Sequence, residues 1–433
     1  MGGDYNRWDL EVREGIFAAA CTLIAIEEHA AGKQLALTIK VKSITLIVKA
    51  DEGGSMSITV WLAAKTLDYP QGGGHMWVYL NWALGLRALG CQVVWLEAVD
   101  PQMSVHEVQA LTLALKDRLK QQGLVECLAL CSRNGKPLPR AVTERCLDIE
   151  AATEAHLLLN LAYHIPPQVV ERFQRSALID IDPGLLQLWM SWGQLSVARH
   201  DMYFTIGETV GKPIARFPHC DLPWHYTPPA VFLSAWPPTS ADSTAPYTTV
   251  STWWGGEWLV FPGGEIFDNN KRKSFLDYSN LPSQTSARLE LALCLGPGDN
   301  EERQFLEQRG WKIRHAWKVS STPEQYRAYI QRSRGEFSCA KPAFMRLQNA
   351  WISDRTLCYL ASGKPAVVQH TGPSGFLPDA AGLFRFRSLE EAACALDAVE
   401  ADYEHQCCLA RKLAEEYFDA RKVVGSVLER ALA

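Results

Sequence analysis

Apolar positions along the chain fall into two periods that take turns. Short, nearly continuous apolar runs at 58–63, 91–96, 124–130, 156–161, 176–181, 289–295 and 366–368 read as strands buried on both faces, and the more mixed 247–252 and 311–316 read as strands as well. Between them, 76–89, 105–122, 300–309, 323–333, 356–362, 389–399 and 403–418 read as helices, and 426–432 closes the chain in the same way. Strand, helix and strand joined by short loops predict parallel sheets with helices packed on them, an α/β class. The pattern breaks twice. Asp51-Glu52-Gly53-Gly54-Ser55 interrupts it early, after a helix-like 11–31 and an alternating, strand-like 35–48. A Pro-rich segment from Pro223 to Ala245 interrupts it in the middle with the composition of a linker. These breaks divide the chain into an extension, 1–55, a first domain, 56–238, and a second, 246–433.

Composition narrows the class of partner. With 47% hydrophobic and 21% charged residues over 433 positions, the chain has enough apolar side chain for two cores and does not read as disordered. A net charge of −5 gives no global field for nucleic acid or an anionic membrane, so any phosphate binding must be local. The most apolar early run, 15–26, is too short to cross a bilayer, and no signal peptide is evident. The 12 cysteines are scattered without C-x-x-C pairs, a reduced, cytosolic pattern rather than a disulfide framework or a zinc site.

Three stretches carry chemistry. In the first, Ser353 is a good N-cap for the helix at 356–362, Gly363 suits a left-handed C-cap, and Pro365 stops continuation before the strand at 366–368. Such a unit aims unpaired N–H groups and a positive dipole end at a neighbouring cleft, and Arg355 in the first turn adds a phosphate-gripping guanidinium. In the second, strand 58–63 runs into Gln71-Gly72-Gly73-Gly74-His75 and a helix, the opening of a nucleotide-type domain that lacks both GxGxxG and GxxxxGK[ST]. His75 is either a proton acceptor or a capping residue there. In the third, Lys271-Arg272-Lys273 is either a diphosphate contact, with Lys271 foremost, or a solvated helix start. Asp180 and Asp182 stand at a strand end in a turn-forming sequence, and Trp253-Trp254 follow the 247–252 strand, where an exposed Trp is a candidate stacking surface.

Glu336-Phe337-Ser338, Ser353-Asp354-Arg355 and Tyr359-Leu360-Ala361-Ser362-Gly363-Lys364-Pro365, with Gln369 to Gly372 and Leu377-Pro378, resemble the donor-binding half of a GT-B glycosyltransferase. The resemblance spans about 56–433 and implies two Rossmann-like domains facing each other across a cleft, the last helix returning to the first domain. It further implies a nucleotide-sugar donor on the second domain, held by Glu336, Ser353, Asp354, Arg355, Thr371, Gly372 and Lys271 or Lys341. An acceptor that the sequence does not identify would meet Gly73, Gly74 and Glu208 on the first, with His75 as the base. Neither a cofactor nor a metal is implied. The family's ribose-holding Glu, five residues before the G-x-P glycine, is Cys358 here; a thiol cannot accept two hydroxyl hydrogen bonds, and Asp354 is the substitute one turn earlier. The same fold also serves sugar-nucleotide epimerases and catalytically silent nucleotide- or partner-binding proteins.

Overall fold

The computed structural model describes residues 28–30, 35–41, 44–50, 57–124, 128–254, 258–260 and 266–433. It contains two compact units, Met1–Ser57 and Ile58–Ala433. In the first, β1 (Glu28–Ala30), β2 (Leu35–Val41) and β3 (Ile44–Ala50) form an antiparallel sheet. Two expectations change here. The helix-like 11–31 lies outside the described residues except for Glu28–Ala30, which is a strand, and the single strand at 35–48 is a hairpin in which Val41 faces Ile44.

In Ile58–Ala433, the described residues form two parallel sheets. The first orders its strands β10-β9-β8-β7-β4-β5-β6, from β4 (Thr59–Ala64), β5 (Gln92–Val99), β6 (Leu128–Ser132), β7 (Leu157–Asn160), β8 (Ser176–Asp180), β9 (Met202–Thr205) and β10 (Trp224–Tyr226). The second begins with β11 (Tyr247–Thr252). After it comes a short antiparallel pair, β12 (Trp258–Val260) and β13 (Ile266–Asp268), and then β14 (Leu289–Cys294), β15 (Lys312–His315), β16 (Gly335–Ser338), β17 (Ala366–Gln369) and β18 (Leu383–Phe386). Its order is β15-β14-β11-β16-β17-β18. Each sheet is therefore wound outward from its first strand in one direction and then in the other. The switch points lie between β4 and β7 and between β11 and β16. Ligands of such sheets bind at the carboxyl ends of the strands beside the switch.

The apolar runs are continuous because both faces of the strands are covered. Val60 and Leu62 of β4 pack into one cluster with the Gly73–Ala88 helix, while Trp61 and Ala63 pack into another with Phe173 and Val169. In the second sheet, Leu289, Leu291 and Leu293 meet Phe337, Trp311 and the stacked Phe386. The linker-like segment is less empty than its prolines suggest, because Trp224–Tyr226 adds β10 to the edge of the first sheet. Further along it, Val231 exchanges backbone hydrogen bonds with Phe418 and Ala420. Just beyond, the Ala420–Leu432 helix lies on the Gly73–Ala88 helix so closely that a Cβ on Gly85 would come within 3.0 Å of Ala420.

Candidate functional site

The carboxyl ends of the two sheets meet. Glu208, beyond β9, accepts hydrogen bonds from Ser374 Oγ (2.6 Å) and the Gly375 N–H (2.9 Å), beyond β17. Asn349 Nδ2 donates to the Pro183 carbonyl (2.6 Å) just past β8, and an apolar cluster of Leu185, Leu188 and Phe217 against Phe344 and Leu347 closes the same side. Gln348 and Ala350 flank Asn349 with φ of 53° and 57°, a left-handed backbone that non-glycine residues adopt at a cost. Gly372 packs onto this segment, where a Cβ would sit 2.5 Å from the Gln348 carbonyl oxygen, and Thr371 Oγ1 donates to the Trp351 carbonyl.

Ser353 caps the Asp354–Ala361 helix as the sequence predicts, accepting from the Arg355 N–H (3.3 Å), and Gly363 is left-handed at φ 68°. Arg355 turns away from the helix tip. Its Nε–H donates to Glu336 Oε1 (2.7 Å), Nη1 donates to the Val250 carbonyl (3.0 Å), and Nη2 donates to Ser338 Oγ. The side chains of this pair are 9% and 0% exposed. Burial alone would pull the guanidinium down; the Glu336 carboxylate outweighs it and holds the group above its ordinary value. Arg355 and Glu336 thus form an internal ion pair under the floor of the site.

Lys271 behaves oppositely. At the start of the Lys271–Asp277 helix it makes no hydrogen bond or ion pair with any described residue, and its neighbours include the cations Arg355 and Lys341. Burial, followed by those two charges, pushes its ammonium well below lysine's ordinary range, with Glu336 compensating only in part. Cys339, beside it, lines a narrow cavity with Ser338, Ser353, Thr356, Gln369 and Thr371 at the tip of the Asp354–Ala361 helix. That cavity measures about 20 Å³, room for about one water and not for two phosphoryl groups.

On the first lobe the Gly73–Ala88 helix begins three residues before the predicted 76, so Gly73, Gly74 and His75 form its first turn rather than a loop. A Cβ on Gly73 would lie 2.2 Å from the Thr322 carbonyl oxygen, and one on Gly74 would lie 2.6 Å from the Tyr326 ring. Both glycines therefore admit the second lobe. His75 donates from Nε2 to the Lys65 carbonyl (2.8 Å), between the rings of Tyr69 and Tyr79, which leaves Nδ1 as an acceptor; burial lowers its pKa. One carboxylate of the site was not legible as such. Glu97, in the apolar β5 run, binds the Thr66 and Leu67 N–H groups and fixes the turn after β4; a lone acid in a buried strand is the signal for it. Asp182 follows Asp180, which faces inward onto Tyr163, Gln187 and Thr205. Burial and then the Asp182 charge from the other lobe raise Asp354 to about 7.

No family model matches the sequence, and no curated protein matches it. Solved structures do. One is sucrose-phosphate synthase from Thermosynechococcus elongatus, 10% identical, with 86% of this chain and 98% of that one covered at a TM-score of 0.51. Another is an alpha-glucosyltransferase in complex with UDP and a 13-mer DNA containing a central A:G mismatch, 10% identical, with 87% and 100% covered at a TM-score of 0.56. The chain has the GT-B fold.

Within a GT-B protein, the position of Cys358 becomes intelligible. It is 1% exposed, in the apolar cluster between the lobes, and Asn81 of the facing helix is beside it. Burial and the nearby Asp354 and Glu336 raise the thiol well above its ordinary range. The nearest cation, Arg355, is already paired with Glu336, so a carboxylate there would be buried at a cost, and this helix turn packs the two lobes together.

Proposed function

We propose that this GT-B protein is a glycosyltransferase that draws its sugar from a nucleotide-sugar donor held by the second lobe and passes it to an acceptor on the first. The observation that carries the reading is Lys271: a half-buried amine, beside two other cations, next to a capped helix tip. Its charge is met only in part by Glu336, and a diphosphate would supply the missing anion. In the transfer, the acceptor hydroxyl attacks the anomeric carbon as the diphosphate leaves. Lys271 and the N–H groups after Ser353 take up the negative charge, while Thr371 and Gly372 border the sugar. His75, kept neutral by burial, accepts the hydroxyl proton at Nδ1. Arg355 acts indirectly, holding Glu336 so that the carboxylate does not neutralise Lys271.

The test is a thermal-shift panel of nucleoside diphosphates, in which stabilisation grows with the logarithm of concentration over Kd. Wild type should be stabilised by at least one of them, and Lys271→Ala should weaken that nucleotide by about tenfold or more, the worth of a charge-assisted contact. Absence of any shift at millimolar nucleotide would end the reading. The narrow helix tip and the buried Cys358 favour a second reading, a silent binding protein. It predicts the same shift with no release of nucleoside diphosphate from any donor.

A further inference from the structure

Four neighbouring strands of the first sheet end in charged residues that gather at one place. Lys65 follows β4, Asp100 follows β5, Arg133 follows β6, and His164 lies a short loop beyond β7. Arg133 joins three of these ends: Nη2 donates to both oxygens of Asp68 (2.5 and 2.6 Å), in the turn after β4, and Nη1 reaches Asp100 Oδ2 at 3.4 Å. Lys65 Nζ is 3.7 Å from Asp68 and donates to His164 Nε2 (3.5 Å), a contact that crosses the switch point between β4 and β7. An ammonium can only donate, so His164 carries its proton on Nδ1; burial, then the Lys65 and Arg133 charges, lower its pKa and keep it neutral. Two cations therefore face two carboxylates and a neutral imidazole, and the group has no net charge. Tyr69 stands at its rim, 51% exposed, with Lys65 Nζ 5.9 Å from its ring centroid and the His75 ring 4.7 Å away. The turn that presents Asp68 and Tyr69 is closed by the Tyr69 N–H donating to the Thr66 carbonyl (3.1 Å), and Glu97 anchors it from beneath. The side chains of Lys65, Asp68, Asp100 and Arg133 are between 19% and 37% exposed, within reach of a solute.

Charge balance selects the ligand. A phosphate or carboxylate would have to compete with Asp68 and Asp100 for Arg133, and an apolar body would strip water from four charged groups without replacing it. A neutral ring of hydroxyls does neither, since each hydroxyl donates to a carboxylate or accepts from an ammonium or guanidinium. We propose that this group binds a neutral sugar, its ring lying on the exposed face of Tyr69 and its hydroxyls shared among Asp68, Asp100 and Lys65. Asp100 Oδ2 is the freest acceptor, because its contact with Arg133 is longer than an ordinary charge-assisted bond. Tyr69 adds burial of the C–H face of the sugar. On the transferase reading this sugar is the acceptor, and His75, in ring contact with Tyr69, is the base beside it. The word acceptor rests on that reading; the binding of a neutral sugar does not.

The experiment is a saturation-transfer NMR titration of the whole chain with methyl glucosides, galactosides and mannosides, beside the corresponding sugar 6-phosphates and cyclohexanol. It is repeated on Tyr69→Ala, Tyr69→Phe, Asp100→Ala and Lys271→Ala, with thermal unfolding in the absence of ligand to show that each variant folds. The expected result is saturable binding of at least one glycoside, weakened about tenfold in Tyr69→Ala and severalfold in Asp100→Ala. Tyr69→Phe, which keeps the ring, and Lys271→Ala, on the other lobe, should bind it as wild type does. The 6-phosphate of the same sugar and cyclohexanol should both bind more weakly. No saturable binding of any glycoside, equal binding in wild type and Tyr69→Ala, equal loss in Tyr69→Phe, or tighter binding of the 6-phosphate would overturn the proposal. The nucleoside diphosphate thermal shift, read on the same samples, separates the two claims. Glycoside binding without that shift ends the transferase reading and leaves the sugar site; the shift without glycoside binding ends the sugar site and leaves the reading.

Discussion

Arg355 and Lys271 show how little a residue's type says about its task. Both are cations at helix starts beside the same cavity, and the sequence favours Arg355 for phosphate. The structure spends all three of its guanidinium nitrogens on Glu336, Val250 and Ser338 and gives Lys271 no hydrogen bond or ion pair among the described residues. Arg355→Ala is therefore a stability mutation first. It strands Glu336, fully buried, without its cation, and should cost about 3–5 kcal/mol in urea unfolding. Replacing both partners by Met and Gln should recover part of that; an unchanged midpoint in the single variant would show the pair to be solvated. Asp354 gives a pH signature. Its folded pKa, raised to about 7, exceeds the unfolded value of about 3.9, so the folded chain holds the extra proton between those values. That contribution to stability falls as pH rises toward 7 and stays lost above it. Asp354→Asn, which cannot ionise, should melt close to wild type below about pH 4 and above it at pH 8, by about 2 °C for each kcal/mol recovered. A pH-independent difference would mean that Asp354 ionises freely.

At the scale of elements, what was legible depended on whether local pattern and tertiary context agreed. The β4 run, and the β14 run apart from Glu290, are apolar on both faces and were readable without knowing their neighbours. The strand Gly335–Ser338 was not, because Glu336 in its middle is tolerable only through Arg355, nineteen positions away in sequence. The strand Trp224–Tyr226 hides among prolines, and among the described residues it pairs with β9 alone. The start of the Gly73–Ala88 helix was misplaced for a similar reason: glycine is a poor helix former, so three in a row read as a loop. Gly73 and Gly74 are there because the 320–326 segment of the other lobe lies where side chains would be. Gly73→Ala raises helix propensity yet drives a Cβ into the Thr322 carbonyl, a backbone atom that cannot rotate aside. A loss of about 1–3 kcal/mol is expected, read as a lower urea midpoint with an unchanged slope. A gain in stability would mean that the lobe contact yields easily.

For the molecule as a whole, the cleft is held shut at several places. Trp77 Nε1 donates to the Pro323 carbonyl (2.9 Å), Gln122 Nε2 donates to Glu324 (2.7 Å), Asn349 reaches Pro183, and Glu208 holds Ser374 and Gly375. A cavity of about 20 Å³ at the helix tip is what this closed arrangement leaves. Two phosphoryl groups enter only if something parts, and the 374–375 segment is the economical choice, since it follows the strand that borders the cavity and is tied by one carboxylate. If so, the free energy of breaking the Glu208 tie is subtracted from that of nucleotide binding, and apparent affinity is reduced by the small fraction of open molecules. Glu208→Ala removes the tie in advance. Hydrogen exchange at the Gly375 amide should then quicken, and the nucleoside diphosphate that stabilises wild type should bind severalfold more tightly, although a carboxylate has been taken from the cleft. Weaker binding together with faster exchange would place Glu208 in direct contact with the ligand, and unchanged exchange would mean that the segment is held by its own turn, in which Ser374 Oγ accepts from the Phe376 and Leu377 N–H groups.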